Sequence, residues 1–228
     1  MNPHLTEIAY ILDRSGSMQP MQEPAVTAFN DFVRTQLDVP GEARLTLIQF
    51  DDAYEVPIAA LRLQDVPQLT AATYVPRGST ALLDAIGRTI KDTDTRLQKL
   101  PAASQPDKVI ITVFTDGMEN ASSDYTVKHI SDLIRLYRDD KGWEFIFLAA
   151  NQDAIATAAT MRIDACTSGN VSYSMKGVTS TGSAMSRKVR AMRMKSSGTM
   201  DAQAVEDDAK PMDQIVKEEE AKPEEEQK

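Results

Sequence analysis

The sequence predicts an α/β protein in which helices cover both faces of a mostly parallel β-sheet. Two observations indicate this fold class. Short runs of strand length recur along the chain, and several are apolar throughout, which is typical of strands buried on both faces. Stretches with apolar residues at helical spacing separate these runs. The overall composition, 42% hydrophobic and 26% charged, is ordinary for a folded protein.

The first half of the chain contains a predicted hairpin. Residues 8–12 are continuously apolar and predict the first strand, and residues 25–33 follow with the spacing of a helix. Residues 45–50 and 54–61 predict two further strands. A short polar segment separates them, so we expect an antiparallel pair that forms one edge of the sheet. A long helix is predicted over residues 80–100.

The second half continues the alternation, and its clearest element is the buried strand predicted at residues 109–114. The elements predicted after it are a helix at 125–138 closed by Gly142, a strand at 143–149, a short helix at 153–161 capped by Asp153, a short strand at 163–166 and a final helix at 174–194. Together these elements predict one doubly wound domain.

The net charge of −9 is unevenly distributed along the chain. Residues 201–228 contain 11 acidic and four basic side chains, whereas residues 187–195 contain five basic ones. Few large apolar side chains follow residue 195, so we predict a disordered acidic tail over residues 196–228. The folded domain is then residues 1–195, with a core at 6–162 and a helical extension. We expect the basic segment to contact the tail, and do not expect it to bind nucleic acid.

Composition also disfavours several classes of protein. The single cysteine, Cys166, cannot form an internal disulfide; we expect it to be buried and the protein to be cytoplasmic. Two histidines argue against a multi-histidine zinc centre. No apolar run approaches the roughly 20 residues that span a bilayer, and the first residues lack the features of a signal peptide. We therefore expect no membrane partner.

Polar loops follow the predicted parallel strands at the edge of the sheet where ligands bind. Residues 13–17 (Asp-Arg-Ser-Gly-Ser) follow the first strand, residues 115–117 (Thr-Asp-Gly) follow the strand at 109–114, and residues 77–80 open the long helix. The candidate site combines two carboxylates with three hydroxyls: Asp13, Ser15, Ser17, Thr80 and Asp116. Such hard oxygen donors select Mg²⁺, Mn²⁺ or Ca²⁺ over zinc or copper.

The five residues, in this order, resemble the metal-ion-dependent adhesion site (MIDAS) of von Willebrand factor A (vWA) domains, and the resemblance covers residues 6–162. It implies a Rossmann-like fold. It also implies that Ser15, Ser17 and Thr80 bind the metal directly, while Asp13 and Asp116 hold it largely through water. The implied function is protein binding, with one Mg²⁺ coordinating an Asp or Glu of the partner. Residues 115–122 and 149–154 resemble small bacterial or phage members of the family.

The number of metal ions, the partner and the activity are further questions that the sequence addresses. Residues 18–21 supply no acids for a second metal, so we expect one ion. The resemblance suggests an AAA+ ATPase or an assembly component as partner, and this chain has no phosphate-binding loop of its own. One alternative is a metal-dependent phosphoryl or ester hydrolase, although Ser15 stands where a haloacid-dehalogenase-type phosphatase requires Asp. Another is a structural interaction protein whose metal stabilises the fold.

Several residues close to the five candidate ligands in the sequence also have expected roles. Asp84 is a candidate to support the metal ligands from behind, or is an acid favoured by the helix dipole. Glu119 and Asn120 lie on the expected rim and are candidate ligand contacts. Arg14 and Arg77 are expected to point outward. Acidic residues of the tail, at 218–220 or 224–226, are a hypothetical internal ligand of the metal.

Overall fold

The computed structural model describes residues 4–150 and 153–223. Within these ranges six strands form one sheet: β1 (Leu5–Asp13), β2 (Glu42–Phe50), β3 (Tyr54–Arg62), β4 (Lys108–Thr115), β5 (Glu144–Ala150) and β6 (Ser168–Val171). The order across the sheet is β3-β2-β1-β4-β5-β6, and all neighbours are parallel except β2 and β3. This confirms the predicted mostly parallel sheet with one antiparallel edge strand.

Helices cover both faces of this sheet, as predicted. The α-helices in the described ranges are α1 (Gln22–Leu37), α2 (Leu82–Gln98), α3 (Val127–Lys141), α4 (Ala154–Thr160), α5 (Met175–Ser197), α6 (Ala202–Ala209) and α7 (Met212–Ala221). One face packs against α1, α5 and α7, and the other against α2, α3 and α4, while α6 contacts α5. None of these helices is long and apolar enough to cross a membrane.

The central strand β1 is continuously apolar over residues 8–12 because both of its faces are covered there. Tyr10 packs edge-on against Phe29 and Phe32 of α1, with ring centroids 5.3 and 5.2 Å apart. The alternate residues Ala9 and Ile11 belong to the core on the α2 side. A continuous apolar run is therefore the pattern that this position requires.

The path of the chain places two polar loops side by side. From β1 the chain crosses through α1 to β2 on one side, and it later crosses through α2 to β4 on the other side. The strand order thus reverses between β1 and β4, which is where open α/β sheets bind ligands. Residues 13–17 and 115–117 meet at this point.

The C-terminal region corrects one expectation. Residues 196–228 were expected to be a disordered tail, but helices α6 and α7 form there and pack on the domain. Met212, Ile215 and Val216 are buried in the core on the α1 side. These few apolar residues have helical spacing and form one apolar helix face. The prediction of disorder used the average composition of the segment, which does not detect such spacing. Residues 224–228 lie outside the described ranges.

Ion pairs join this region to the basic segment of α5. Arg187 Nη2 lies 2.5 Å from Asp207 Oδ1, and Arg187 Nη1 lies 2.9 Å from carboxylate oxygens of both Glu218 and Glu219. Lys188 Nζ donates to three backbone carbonyls of residues 207–210. The expected contact between basic and acidic segments is therefore present, as a built interface.

Smaller differences concern local elements. Residues 163–166 do not form the predicted strand, since β6 lies slightly later, and Cys166 is exposed where burial was expected. Asp153 caps α4 as predicted, because its carboxylate accepts a hydrogen bond from the Ala156 N–H. Gly142 ends α3 with φ of 66°, a conformation that glycine adopts without strain.

Replacing Ile215 tests whether α7 is part of the fold. Ile215 is 0% exposed, so Ile215→Ala should lower the free energy of unfolding by about 2 kcal/mol or more. Val205 on α6 is 54% exposed, and Val205→Ala should change it by less than about 0.5 kcal/mol. Urea unfolding measures both. Equal, negligible effects would show that this region does not pack on the domain.

Candidate metal centre

The five predicted site residues lie together at the carboxyl ends of β1 and β4. Asp13 is the last residue of β1, and Asp116 directly follows β4. The two strands are paired in parallel up to Leu12 and Phe114. Both carboxylates are buried, as are Ser15 and Thr80, whereas Ser17 is exposed. The cluster therefore opens to solvent on the Ser17 side.

Hydrogen bonds connect the carboxylates through the serine hydroxyls. Asp13 Oδ1 accepts from the Ser15 N–H at 2.7 Å, and Asp13 Oδ2 accepts from the Thr115 hydroxyl at 2.5 Å. The Ser15 and Ser17 hydroxyl oxygens are 3.1 Å apart. The Ser17 hydroxyl donates to Asp116 Oδ1 at 2.8 Å. Alternate residues of this loop thus face one point, as its spacing predicts.

Thr80 reaches the same point from the loop before α2. Its backbone is held by Asn120, whose Oδ1 accepts from the Thr80 N–H at 2.9 Å. A Cβ added to Gly117 would lie 2.8 Å from Thr80 Oγ1 and 3.6 Å from Ser17 Oγ. The space beside Gly117 is therefore bordered by these two hydroxyls, and a side chain there would crowd them.

The electrostatics of the cluster favour a cation. Burial raises the pKa of Asp13 to about 6, although its hydrogen bonds from Thr115 and Ser15 oppose the shift. Burial likewise raises the pKa of Asp116. Asp116 Oδ2 is buried and has no hydrogen-bond partner among the described residues. A buried acceptor without a donor is costly, and a bound cation would offset that cost.

The donor set fits a hard divalent cation. Carboxylate and hydroxyl oxygens suit Mg²⁺, Mn²⁺ and Ca²⁺. Within the described residues, no group of three or more His, Cys, Asp or Glu side chains is placed to hold a metal ion. His129 is exposed in the capping box of α3, away from the cluster. The hydroxyls therefore decide what this centre can bind.

Asp51, which the sequence analysis did not single out, ties both loops to the β2–β3 hairpin. Its Oδ2 accepts from Arg14 Nε at 3.1 Å and from Arg77 Nε at 2.9 Å. Its backbone carbonyl accepts from the Ala81 N–H at 3.0 Å. Glu55 binds both guanidinium groups from the other side. Two loops that each carry candidate ligands are thus held by one carboxylate.

These contacts correct the expected orientation of Arg14. It was expected to point outward, but it is 5% exposed and paired with Asp51 and Glu55. Arg77 is exposed as expected, yet the same two carboxylates hold it. Both guanidinium groups are therefore already paired with carboxylates of this chain.

Asp84, expected behind the metal ligands, and Glu119 and Asn120, expected on the rim, all support the loops. Glu119 accepts from the Leu83 and Ser122 N–H groups, at 2.8 and 2.7 Å. Asp84 accepts from the backbone N–H groups of residues 123–125. Asn120 holds Thr80, as described above. Each carboxylate is occupied by backbone donors, so loop structure explains both acids.

Two tyrosines that the sequence analysis did not assign to the site contact the loop after β1. The buried Tyr74 hydroxyl donates to the Asp13 carbonyl at 2.5 Å. The Tyr173 hydroxyl donates to the Ser17 carbonyl at 2.9 Å. Both contacts join residues far apart in sequence, and no local motif signals them.

The acidic residues at 218–220 are held elsewhere. Glu218 and Glu219 pair with Arg187, and Glu220 accepts from the backbone N–H and hydroxyl of Ser172. The structure therefore places these three carboxylates on other partners and not as the hypothesised internal ligand of the metal. Residues 224–226 lie outside the described ranges, as do Asn151 and Gln152.

Removing the Asp51 carboxylate should destabilise the domain. Asp51→Ala leaves the buried Arg14 with only the half-exposed Glu55, and breaking a buried pair costs about 3 kcal/mol or more. Asp52 is exposed, so Asp52→Ala is the matched control, with an expected effect below about 1 kcal/mol. Urea unfolding of both variants provides the comparison. Similar losses in the two would contradict an anchoring role for Asp51.

Comparison with known proteins identifies the fold. No protein-family model matches this sequence, and no curated protein matches it either. Among solved structures, mussel-byssus proximal thread matrix protein 1 with a zinc-occupied MIDAS motif is 14% identical, with a TM-score of 0.54. The alignment covers 82% of this chain and 46% of that one.

Two bacterial structures give the same result. The pilus adhesin SpaC of Lactobacillus rhamnosus GG is 12% identical, with a TM-score of 0.63 and coverage of 84% and 31% of the two chains. A von Willebrand factor type A protein of Catenulispora acidiphila is 17% identical, with a TM-score of 0.51 and coverage of 86% and 43%. This chain spans less than half the length of each of the three. The fold of this chain is therefore the von Willebrand factor A fold that the sequence resemblance implied.

Proposed function

We propose that this protein is a metal-ion-dependent protein-binding module. Asp13, Ser15, Ser17, Thr80 and Asp116 would hold one Mg²⁺, with Mn²⁺ or Ca²⁺ as alternative ions. The observation that carries the proposal is the buried, unpartnered Asp116 Oδ2 beside converging hydroxyls. When bound, the ion would supply a positive site for a carboxylate.

Charge and access explain why a partner's acid would complete this centre. Two carboxylates balance a divalent cation, while the hydroxyls add no charge, so the ion would keep its affinity for a further anionic oxygen. Ser17 is exposed, which leaves the cluster open on one side. An Asp or Glu presented by a protein surface matches both requirements. The zinc-occupied MIDAS motif of the mussel protein supports a divalent ion in this fold.

The same residues argue for binding over catalysis. A hydrolase needs a nucleophile or a general base beside the metal. Ser15 occupies the position where a haloacid-dehalogenase-type phosphatase carries its second Asp. The Asp84 and Glu119 carboxylates are held by backbone N–H groups. We therefore propose a non-enzymatic role with an intracellular protein partner, such as an AAA+ ATPase or an assembly component.

Calorimetric titration tests the metal centre. Mg²⁺ or Mn²⁺ should bind one site per chain, and Asp116→Asn should abolish or greatly weaken that binding because it removes one of two carboxylates. Asp132→Asn on α3 is the matched control, because Asp132 lies on a different element and its ion pairs among the described residues are with Lys128 and Arg135. It should bind metal as the unaltered protein does. Two equivalent sites, or none at millimolar metal, would refute the assignment.

Affinity capture tests the binding function. Partners retained in Mg²⁺ should be lost in EDTA and lost again with the double variant Asp13→Ala/Asp116→Ala. The Asp132→Asn variant should retain them. A partner captured equally under all these conditions would contradict the proposal. Stabilisation of the fold would then be the remaining role of the metal.

A further inference from the structure

Large apolar side chains are exposed beside the opening of the metal centre. Met118 is 70% exposed and Met175 is 64% exposed, the two highest values for large apolar side chains among the described residues. Tyr173 is exposed as well. Met118 follows β4, while Tyr173 and Met175 follow β6, so all three come after the carboxyl ends of parallel strands. We call these three side chains the apolar rim.

Backbone contacts place Met118 beside the candidate ligand Thr80. The Thr80 carbonyl accepts from the N–H groups of Asn120 and Ala121, at 3.1 and 3.2 Å. On the other side of Met118, a Cβ added to Gly117 would lie 2.8 Å from Thr80 Oγ1. The chain on both sides of Met118 is therefore close to Thr80, while the Met118 side chain itself is mostly in solvent.

Tyr173 and Met175 belong to the segment that leads from β6 into α5. The Tyr173 hydroxyl donates to the Ser17 carbonyl at 2.9 Å, and Met175 follows two positions later as the first residue of α5. The position of a Cβ on Gly117 is 3.6 Å from Ser17 Oγ. The segments that carry the apolar rim therefore meet at Ser17, where the cluster opens to solvent.

The charges around this opening disfavour a strongly acidic partner surface. A divalent ion would balance its two carboxylates, and Arg14 and Arg77 are already paired with carboxylates of this chain. Four further acids lie on or beside the surrounding loops: Asp52, Asp84, Glu119 and Asp124. Lys176, beside Met175, offsets at most one of these charges. A cluster of acids on a partner would be repelled here, whereas a single carboxylate on the ion would not add to such a cluster.

We propose that the apolar rim selects partners in which the acidic residue that binds the metal is flanked by large apolar side chains. This rests on the metal-dependent binding function proposed above and specifies its partner. An extended segment advances about 3.3 Å per residue, so residues next to the acid reach the surroundings of Ser17 and Thr80. Methionine side chains adapt to the shape of apolar partners, and their burial removes apolar surface from water.

Three synthetic peptides test this selection. Each carries one aspartate in the same polar frame, and the two residues on either side of it are leucine, serine or glutamate. In Mg²⁺, fluorescence anisotropy of the labelled peptides should show the leucine peptide binding about tenfold more tightly than the serine peptide, because it buries apolar surface on the rim. The glutamate peptide should also bind more weakly than the leucine peptide, and EDTA should abolish binding of all three.

The variant Met118→Ser/Met175→Ser tests whether the rim is responsible. It should reduce the advantage of the leucine peptide to about threefold or less and leave the affinity for the serine peptide unchanged. Both side chains are largely exposed, so the variant is expected to fold with an unchanged melting temperature. Leu136→Ser on α3, where the side chain is 43% exposed, is the matched control and should bind each peptide as the unaltered protein does.

The possible failures of this test have different meanings. Equal binding of the leucine and serine peptides in Mg²⁺, lost in EDTA, would overturn the apolar selection and leave the metal-dependent binding function intact. An undiminished advantage of the leucine peptide in the Met118/Met175 variant would overturn the role of the rim. The absence of Mg²⁺-dependent binding by any of the peptides would contradict both proposals.

Discussion

The Asp51 carboxylate holds the two loops that carry the candidate metal ligands. It is fully buried, and it accepts from the guanidinium groups of Arg14 and Arg77. A buried carboxylate is stable only when it is paired and hydrogen-bonded, so these three charges must keep their arrangement. The loop after β1 and the loop before α2 are thereby held against the same hairpin. Asp51 thus joins the loop that carries Ser15 and Ser17 to the loop that carries Thr80.

At each end of the sheet one buried polar group lacks a full set of partners among the described residues. At the carboxyl ends of the strands, burial raises the pKa of Asp13 and Asp116, and Asp116 Oδ2 lacks a donor among the described residues. At the amino ends, Arg193 is buried without a counter-charge among the described residues. Each arrangement costs stability in the free protein, and such costs concentrate at functional sites. At the carboxyl ends, a bound cation would lower this cost.

The C-terminal helices show how a charged segment can still be part of a fold. Most side chains of α6 and α7 are polar, which is why their composition suggested disorder. Their few apolar residues nevertheless face the core, and Asp207 and Glu219 are buried against Arg187. A charged side chain is buried stably when an opposite charge of the same chain lies beside it in the right geometry. The composition of a segment does not report that geometry.

Much of this protein follows from its sequence alone. Periodicity determined the long buried strands, the helices up to α5 and the antiparallel hairpin, because a strand covered on both faces presents apolar side chains to both. The motif order predicted that Asp13, Ser15, Ser17, Thr80 and Asp116 would come together, since the carboxyl ends of neighbouring parallel strands share one edge. These inferences need only local pattern and general rules of connection.

The tertiary structure decided what depends on contacts between distant residues. The inward orientation of Arg14, the anchoring by Asp51, the tyrosine contacts to the first loop and the packing of α7 all join segments far apart in the chain. The sequence shows which side chains are charged, but it does not show which groups lie beside them in the folded protein. Whether a charge is solvated, paired or buried alone is a property of its surroundings, and only the folded chain supplies them.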